Sequence, residues 1–565
     1  MSAPPKYRYE FGPFEIDGAE RLLMRAGQVV PLFPKAVDTL LILLANQGRI
    51  LGRDELVKLV WPDTTVEEGG LSRNISEVRK ALGDGADDGQ YIETIPRRGY
   101  RFIAPVREKA TEPSRTNLSQ RYGLAVLPLK MLSSDPAQEP FCEGMNEALI
   151  TDLAKISALR VYQGTARGYS ELADSGKVEA AVEGACLLTG RHVRITVRLV
   201  EARTGEHIWA QTYEDELQDI VELQGRVARD VARHVRVRVT PEEDQQLAAA
   251  QPVNPEAYQA YLEGRFWWNR RTEEGFRLAI ESFELAIAKD PRDARAYAGL
   301  ADTYSLIGST PYSAPSPKDV FPKAAQLARK ALELDSSLAD AHASLAFVKL
   351  AFERDTAGAE REFQRAILLN PGYANAHHWY GHNLMAMGRL EEALAAKTRA
   401  QELDSRSLVI PSGIAWCHYY AGDYDRAILQ CRNTLVRDPA FVLAICVLGL
   451  SYAQSGRTEE AIAAFQKPLS LAPENPAVLI GMSYSYARSG NVKEAHAQLA
   501  KLTARAAERF VPGTLFAIVY AGLQESDAAF HWLEKAREER SDYLNYVGID
   551  PAFAGLRSDP RFASL

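Results

Sequence analysis

Apolar and polar positions alternate every second residue at the start of the chain. Tyr7, Tyr9 and Phe11 carry the apolar side, as a half-buried strand requires. Phe14–Asp17 and residues 22–24 and 29–32 continue as short strands, punctuated by Asp17-Gly18 and Ala26-Gly27. The spacing then becomes helical. Pro34 opens a helix that runs to Ala45, with Val37, Leu40, Leu41 and Leu44 on one face. Residues 53–61 form a second helix, which Pro62 ends, and residues 67–82 a third. Residues 91–95 and 100–104 return to strand alternation around Arg97-Arg98-Gly99, which predicts a hairpin.

The third helix separates two kinds of side chain. Leu71, Ile75, Val78 and Leu82 fall on a single stripe that faces a core. Successive residues turn by about 100°. Arg73, Ser76, Glu77 and Lys80 therefore point the other way, with Ser72, Asn74 and Arg79 on the flanks. Such a face suits the major groove of duplex DNA. Arg donates twice to guanine, Asn pairs with adenine and Lys reaches phosphate. Arg97, Arg98 and Arg101 on the hairpin add charge of the kind that lies over a minor groove or the phosphate backbone. Residues 1–106 hold 14 Lys and Arg against 15 Asp and Glu, a net of −1. Affinity for DNA must then come from clustering, and Glu67, Glu68 and the acidic residues of 84–88 weaken or shape it.

Residues 7–106 resemble the winged-helix DNA-binding domain of OmpR/PhoB-type transcriptional regulators. LSRNISEVRKALG (71–83) resembles the recognition helix and YIETIPRRGYRF (91–102) the hairpin that forms the wing. The resemblance implies transcriptional control in a bacterium, with double-stranded DNA as the partner. Its contacts would come from Ser72, Arg73, Asn74, Ser76, Glu77, Arg79, Lys80, Arg97, Arg98 and Arg101. The loop from Trp61 to Val66 matches a stretch that contacts RNA polymerase in some members. The family serves phosphorelay signal transduction, but no receiver domain precedes this one, so a phosphorylation switch within the chain is not expected. No membrane helix follows, which sets the chain apart from the CadC/ToxR branch and beside cytoplasmic HilA-like members with a repeat tail.

Residues 107–121 are polar and read as a linker. Residues 122–240 mix strand and helix patterns. A buried run, GLAVLPL (123–129), precedes an amphipathic helix over 144–157. Strand alternation follows at 182–187, 192–200 and 207–213, then a last helix over 217–235. This order implies a small α/β domain. LAVLPL, VEGA (182–185) and RITVRLVEARTGEHIWA (194–210) resemble the TolB N-terminal or FlgO-like fold, with a shortened connection before Val182. That resemblance implies a spacer or ligand-sensing role. Residues 240–252 are polar again.

From Pro255 the chain is helical and periodic. Pro291, Ser336, Pro371, Ser405, Pro439 and Pro473 are separated by 45, 35, 34, 34 and 34 residues. Gly388, Gly422, Gly456 and Gly490 share one offset, where two antiparallel helices need a tight turn. Ala393, Ala427, Ala461 and Ala495 lie five residues later, where only a small side chain lets the helices approach, and Phe283, Phe363 and Phe465 share a third offset. A loop insertion around 312–319 accounts for the longer first step. This pattern resembles the tetratricopeptide repeat over about residues 255–540, with 557–565 as a cap. Stacked helix pairs bury a continuous core and leave a concave face for a protein partner or for self-association.

Composition narrows the picture further. The net charge is −8, with 25% charged and 46% hydrophobic residues, which excludes wholesale disorder and bulk-charge coating of nucleic acid. No apolar run approaches a membrane span or a signal-peptide core, so a cytoplasmic protein is expected. Cys142, Cys186, Cys417, Cys431 and Cys446 lack metal spacing and read as reduced thiols. His377, His378 and His382 form an HHxxxH cluster with no Glu or Cys to complete a metal set. Trp267-Trp268 reads as packing of the first repeat helix, and the arginines of 226–238 as the solvated face of a helix that buries Val227, Val231 and Val235. No phosphate-binding loop or catalytic pair stands out, so neither an enzyme nor a cofactor is expected. The fold class is multidomain α+β: a winged helix-turn-helix over 7–106, the linker, a small α/β domain over 122–240 and an all-α solenoid over 255–565. The function expected is a sequence-specific regulator, possessing a homodimer option on paired sites. The alternative is a repeat scaffold whose winged helix contacts protein.

Overall fold

A computed structural model of the chain describes residues 7–17, 22–25, 28–30, 32, 34–60, 70–84, 91–96, 98–110, 121–135, 138–164, 173–174, 176–248, 253–310, 315–471 and 475–565. Arg97, the 61–66 loop, Glu67, Glu68, residues 85–90, Pro473 and the loop residues 311–314 lie outside the described residues. The chain divides into two compact units, Met1–Gln120 and Arg121–Leu565.

In the first unit, β1 (Tyr7–Phe11), β2 (Phe14–Asp17), β3 (Leu22–Arg25) and β4 (Gln28–Val30) form an antiparallel meander. Then come α1 (Pro34–Ala45), α2 (Arg53–Val60), α3 (Gly70–Leu82) and the hairpin β5 (Ile92–Ile95) and β6 (Gly99–Phe102). The period-two residues Tyr9 and Phe11 meet the helical stripes of α1 and α3 in one core with Tyr91, Tyr100 and Phe102. A further strand, β7 (Arg107–Ala110), pairs antiparallel with β1, opposite residues 7–10. The apolar pattern places the end of the domain at 106 and a linker over 107–121; the structure adds residues 107–110 to the sheet. REKA carries no apolar alternation, and its pairing comes from backbone hydrogen bonds, which a side-chain pattern does not record.

The second unit begins with a mixed sheet. Its strands are β8 (Tyr122–Val126), β9 (Lys130–Met131), β10 (Leu159–Gln163), β11 (Ala180–Thr189), β12 (His192–Glu201) and β13 (His207–Glu216). The order is β10-β8-β11-β12-β13, with β9 on β11. Helices α4 (Glu139–Ala154) and Ile220–His234 pack on it through Leu149, Leu153, Leu223, Val227 and Val231. Strand β10 was not read from the sequence, because LRVYQ follows α4 with too few residues to establish a period. Cys142 and Cys186 are joined by a disulfide between α4 and β11, their Cα atoms 6.0 Å apart. This corrects the expectation of five free thiols: residues 44 apart in sequence become neighbours only when the helix packs on the sheet. The polar stretch after Val239 also differs from a plain connector. Thr240 and Glu243 exchange hydrogen bonds (Thr240 N to Glu243 Oε2, 2.8 Å; Glu243 N to Thr240 Oγ1, 3.2 Å), a capping box that starts helix Pro241–Ala248.

Among the described residues eight helix pairs follow, from Pro255–Asn269 to Ser526–Glu539. The turn glycines Gly388, Gly422, Gly456 and Gly490 all sit at φ between 74° and 77°, a region that L side chains avoid. Ala393, Ala427, Ala461 and Ala495 are buried, as are Phe283, Phe363 and Phe465. The terminal cap begins earlier than the sequence indicates. Three short 3-10 segments, Asp542–Asn545, Pro551–Leu556 and Pro560–Ser564, lay Leu544, Val547, Phe553 and Leu556 against the later repeats. The sheet does not stand apart from the solenoid. Arg160 pairs with Glu402, Ser405 donates to the Gln163 carbonyl from N (3.1 Å) and Oγ (2.8 Å), and Gln224 donates to the Tyr258 hydroxyl at 2.6 Å.

Candidate nucleic-acid interface

Helix α3 buries Leu71, Ile75, Val78 and Leu82 and leaves Ser72, Arg73, Ser76 and Lys80 exposed, with Asn74, Glu77 and Arg79 half-buried. Ser72, Ser76 and Lys80 recur every fourth residue and so form one row along the helix, with Arg73 beside it. Arg73 and Lys80 have no side-chain partner among the described residues, so their charge is directed outward.

The flanking residues have other work. Asn74 Nδ2 donates to the Lys35 carbonyl at 3.0 Å and to Thr39 Oγ1 at 3.2 Å, which ties α3 to α1. Arg79 Nη2 donates to the Ile92 carbonyl at 2.7 Å and to Thr94 Oγ1 at 2.8 Å, which ties α3 to the hairpin. On the hairpin, Arg101 pairs with Glu93 across the strands at 2.6 Å, while Arg98 is exposed at the turn. The structure therefore brings Ser72, Arg73, Ser76 and Lys80 together on one outward face. Asn74 and Arg79 are half-buried and hydrogen-bonded to α1 and to the hairpin, Arg101 pairs with Glu93, and Arg97 is not among the described residues.

Two positioning residues were missed or misread. Asp84 had been counted in an acidic run, yet it is buried, and its Oδ2 accepts from Tyr91 N at 3.2 Å and Ile92 N at 2.8 Å. It fastens the start of the hairpin to the end of α3. Gly99 sits at φ 134°, and a Cβ there would stand 1.9 Å from the Leu51 carbonyl oxygen. That close approach accompanies the Leu51–Tyr100 bridge, through which the hairpin lies against the segment before α2. A Gly beside two arginines in a turn was visible in the sequence; its backbone neighbour was not.

A family model described as "Transcriptional regulatory protein, C terminal" matches residues 27–102, and one described as "Tetratricopeptide repeat" matches residues 452–510. The chain is 25% identical over 464 residues to "Transcriptional regulator HilA" of Salmonella paratyphi A, covering 79% of this chain and 80% of that protein. It is 38% identical over 85 residues to "Transcriptional activator CadC" of Escherichia coli, covering 15% and 17%. A "Putative adenylate cyclase 3" of Rhizobium meliloti is 29% identical over 286 residues, covering 46% and 47%. No helix among the described residues is long and apolar enough to cross a membrane. The first unit is thus an OmpR/PhoB-type DNA-binding domain, the helical pairs of the second are tetratricopeptide repeats, and the chain is built as a transcriptional regulator.

Proposed function

We propose that this regulator reads duplex DNA with α3 in the major groove while the turn of the hairpin follows the adjacent backbone. Arg73 contacts a base edge, Lys80 a phosphate, and Ser72 and Ser76 add shorter hydrogen bonds. Glu77 discriminates against wrong bases through its charge. Asn74 and Arg79 keep the helix and the hairpin at a fixed angle and contact DNA only if they exchange their internal partners. Arg97, Arg98 and Arg101 supply phosphate contacts. The observation that carries this reading is the outward row Ser72, Ser76 and Lys80 with Arg73, backed by the buried Leu71–Leu82 stripe.

The 61–66 loop is proposed, on the family resemblance alone, to touch RNA polymerase, and two copies on paired half-sites would gain avidity. The protein acts where the chromosome is, in the cytoplasm, and no catalytic role is assigned to it. The C-terminal segment occupies part of the concave face, which moves a protein contact of the repeats to their outer helices, where Leu368, Leu429 and Val436 are exposed. Selection of the full-length protein on random duplexes, followed by binding measurements across salt concentrations, tests the proposal. A preferred sequence and a steep salt dependence are expected. Equal binding to every duplex, or undiminished binding by Arg73→Ala and Lys80→Ala together, would overturn it.

A further inference from the structure

The repeats curl far enough for their beginning to meet their end. Arg509 Nη1, after the seventh helix pair, lies 3.4 Å from Glu273 Oε2 in the first. Thr310 donates its N–H to both oxygens of Asp542 at 3.1 and 3.2 Å, and its hydroxyl to the same carboxylate. Asn545 donates to the Leu350 carbonyl at 3.0 Å. These contacts join residues 195 to 236 apart in sequence and turn the groove into a lumen of about 670 Å³. A peptide needs an open groove, whereas a cavity between ~300 and ~1,000 Å³ suits a small molecule.

The wall of the lumen is mostly apolar and aromatic, with Phe276, Phe347, Trp379, Trp416, Leu450 and Ile480 in it. Ser309, Ser412 and His378 are buried polar groups in it; the two serine hydroxyls donate to the Leu306 and Leu408 carbonyls at 2.7 and 2.9 Å, which leaves His378. His378 is 3% exposed, and its Nδ1 has no hydrogen-bond partner among the described residues. Its Nε2 is 3.3 Å from His382 Nε2, so one ring donates to the other. Gly413 packs directly against the His378 edge and leaves no room for a side chain: a Cβ there would be 2.7 Å from Cε1, 3.3 Å from Nδ1 and 3.0 Å from Lys397 Nζ. His378 lines the cavity, and its unpaired buried nitrogen is a group that a ligand can satisfy.

The charges decide the class of ligand. Lys397 is fully buried behind Gly413, with its ammonium donating to the His378 carbonyl at 3.1 Å and no carboxylate among its described partners. Burial lowers its pKa to about 8, which leaves a cation at neutral pH that gains from a nearby anion. The lumen wall also carries Arg271, Arg505 and Arg509, but Arg505 pairs with Glu508 at 2.6 Å and Arg509 with Glu273 at 3.4 Å, so the cation that counts beside His378 is Lys397. The geometry points to a binding site, inside the repeat ring, for a small, mainly apolar molecule that ends in one carboxylate. The carboxylate accepts from His378 Nδ1–H near Lys397, and the apolar body fills the aromatic lumen.

The test uses the full chain and no DNA, so its outcome is independent of the DNA reading. Thermal melting and calorimetric titration are run with straight-chain carboxylates from hexanoate to tetradecanoate, with phenyl- and indolyl-carboxylates, and with the matching primary alcohols. At least one carboxylate should bind with one-to-one stoichiometry, raise the melting temperature and exceed its alcohol at least tenfold in affinity. Val409→Trp, which fills the lumen from a half-buried position, should abolish binding while the far-ultraviolet spectrum stays unchanged. His378→Phe should remove most of the preference for acid over alcohol. If His378→Phe does not fold, the Val409→Trp arm and the acid–alcohol comparison still decide. Absence of binding across the panel, equal binding of acids and alcohols, or undiminished binding by folded Val409→Trp would overturn the inference.

Discussion

The outward face of α3 and the interior of the repeat ring are opposite ways of building a site. The α3 face is assembled from residues within one helix and a hairpin that begins ten positions later, and its polar atoms point at solvent. The ring interior is assembled from helices hundreds of residues apart, and its polar atoms are surrounded by aromatic carbon. The first can be altered by one residue with little effect on its scaffold, because Arg73 and Lys80 are exposed and have no side-chain partner among the described residues. The second is less tolerant where Thr310 meets Asp542, Asn545 meets Leu350 and Arg509 meets Glu273, because those groups hold the ring together.

Four experiments sharpen or break this contrast. The largest effect is expected from Phe465→Ala. Phe465 is fully buried, and Gly449 and Gly481 are both close enough that a Cβ on either would meet its ring at 2.1 Å. Losing it should cost about 3–5 kcal/mol in the second unit. Calorimetry should show that unit melting earlier while the first unit is unmoved; a shift of both would deny their independence.

Asp84→Ala comes next. It leaves two buried backbone N–H groups unpaired, at an expected cost of about 2 kcal/mol in the first unit, read from denaturant melts of that unit. Unchanged stability would mean that the hairpin is held by packing alone.

Arg73→Ala and Asn74→Ala form the third test. Arg73→Ala should lower affinity for a selected duplex by about 10- to 100-fold without changing the melting temperature. Asn74→Ala should do the reverse, lowering the melting of the first unit and leaving the affinity of the folded fraction nearly intact. If both variants lost affinity alike at full stability, Asn74 would be a base contact that leaves its internal partners.

The smallest effect concerns pH. Burial lowers the pKa of His377 to about 4 and holds those of His378 and His382 well below the ordinary histidine value. As pH falls below 6.5, the unfolded chain takes up protons that these folded rings refuse. Their contribution to stability is therefore full above pH 6.5 and is lost as pH falls toward about 4. Between pH 7 and pH 5 these rings lower the melting of the second unit, while Asp302, whose pKa burial raises to about 7, works in the opposite direction, so His377→Gln should raise the melting at pH 5 relative to that at pH 7. A first unit that lost as much stability over the same range would show that carboxylates, and not these histidines, set the effect.

Much of this was legible in advance where the signal was local. The α3 stripe, the turn glycines and the repeat alanines are fixed by spacings of three to five residues, and each appears where the period places it. The exposed row of α3 was legible for the same reason. The division of labour within it was not. Nothing in the spacing of Asn74 and Arg79 tells that Thr39 and the Ile92 carbonyl stand within reach. Asp84 looked like surface charge because its partners are backbone groups, and β7 looked like linker because its pairing is too.

The sequence by itself determined the elements that carry a hydrophobic period, the order of the domains and the repeat, because that periodicity acts over one or two turns of chain. Tertiary structure alone decided that the sheet packs on the solenoid, that Cys142 meets Cys186, and that the repeats close with His378 and Lys397 beside a cavity. The small angle between successive helix pairs accumulates, so a ring closes or stays open according to a sum over every pair, and no single repeat encodes that sum.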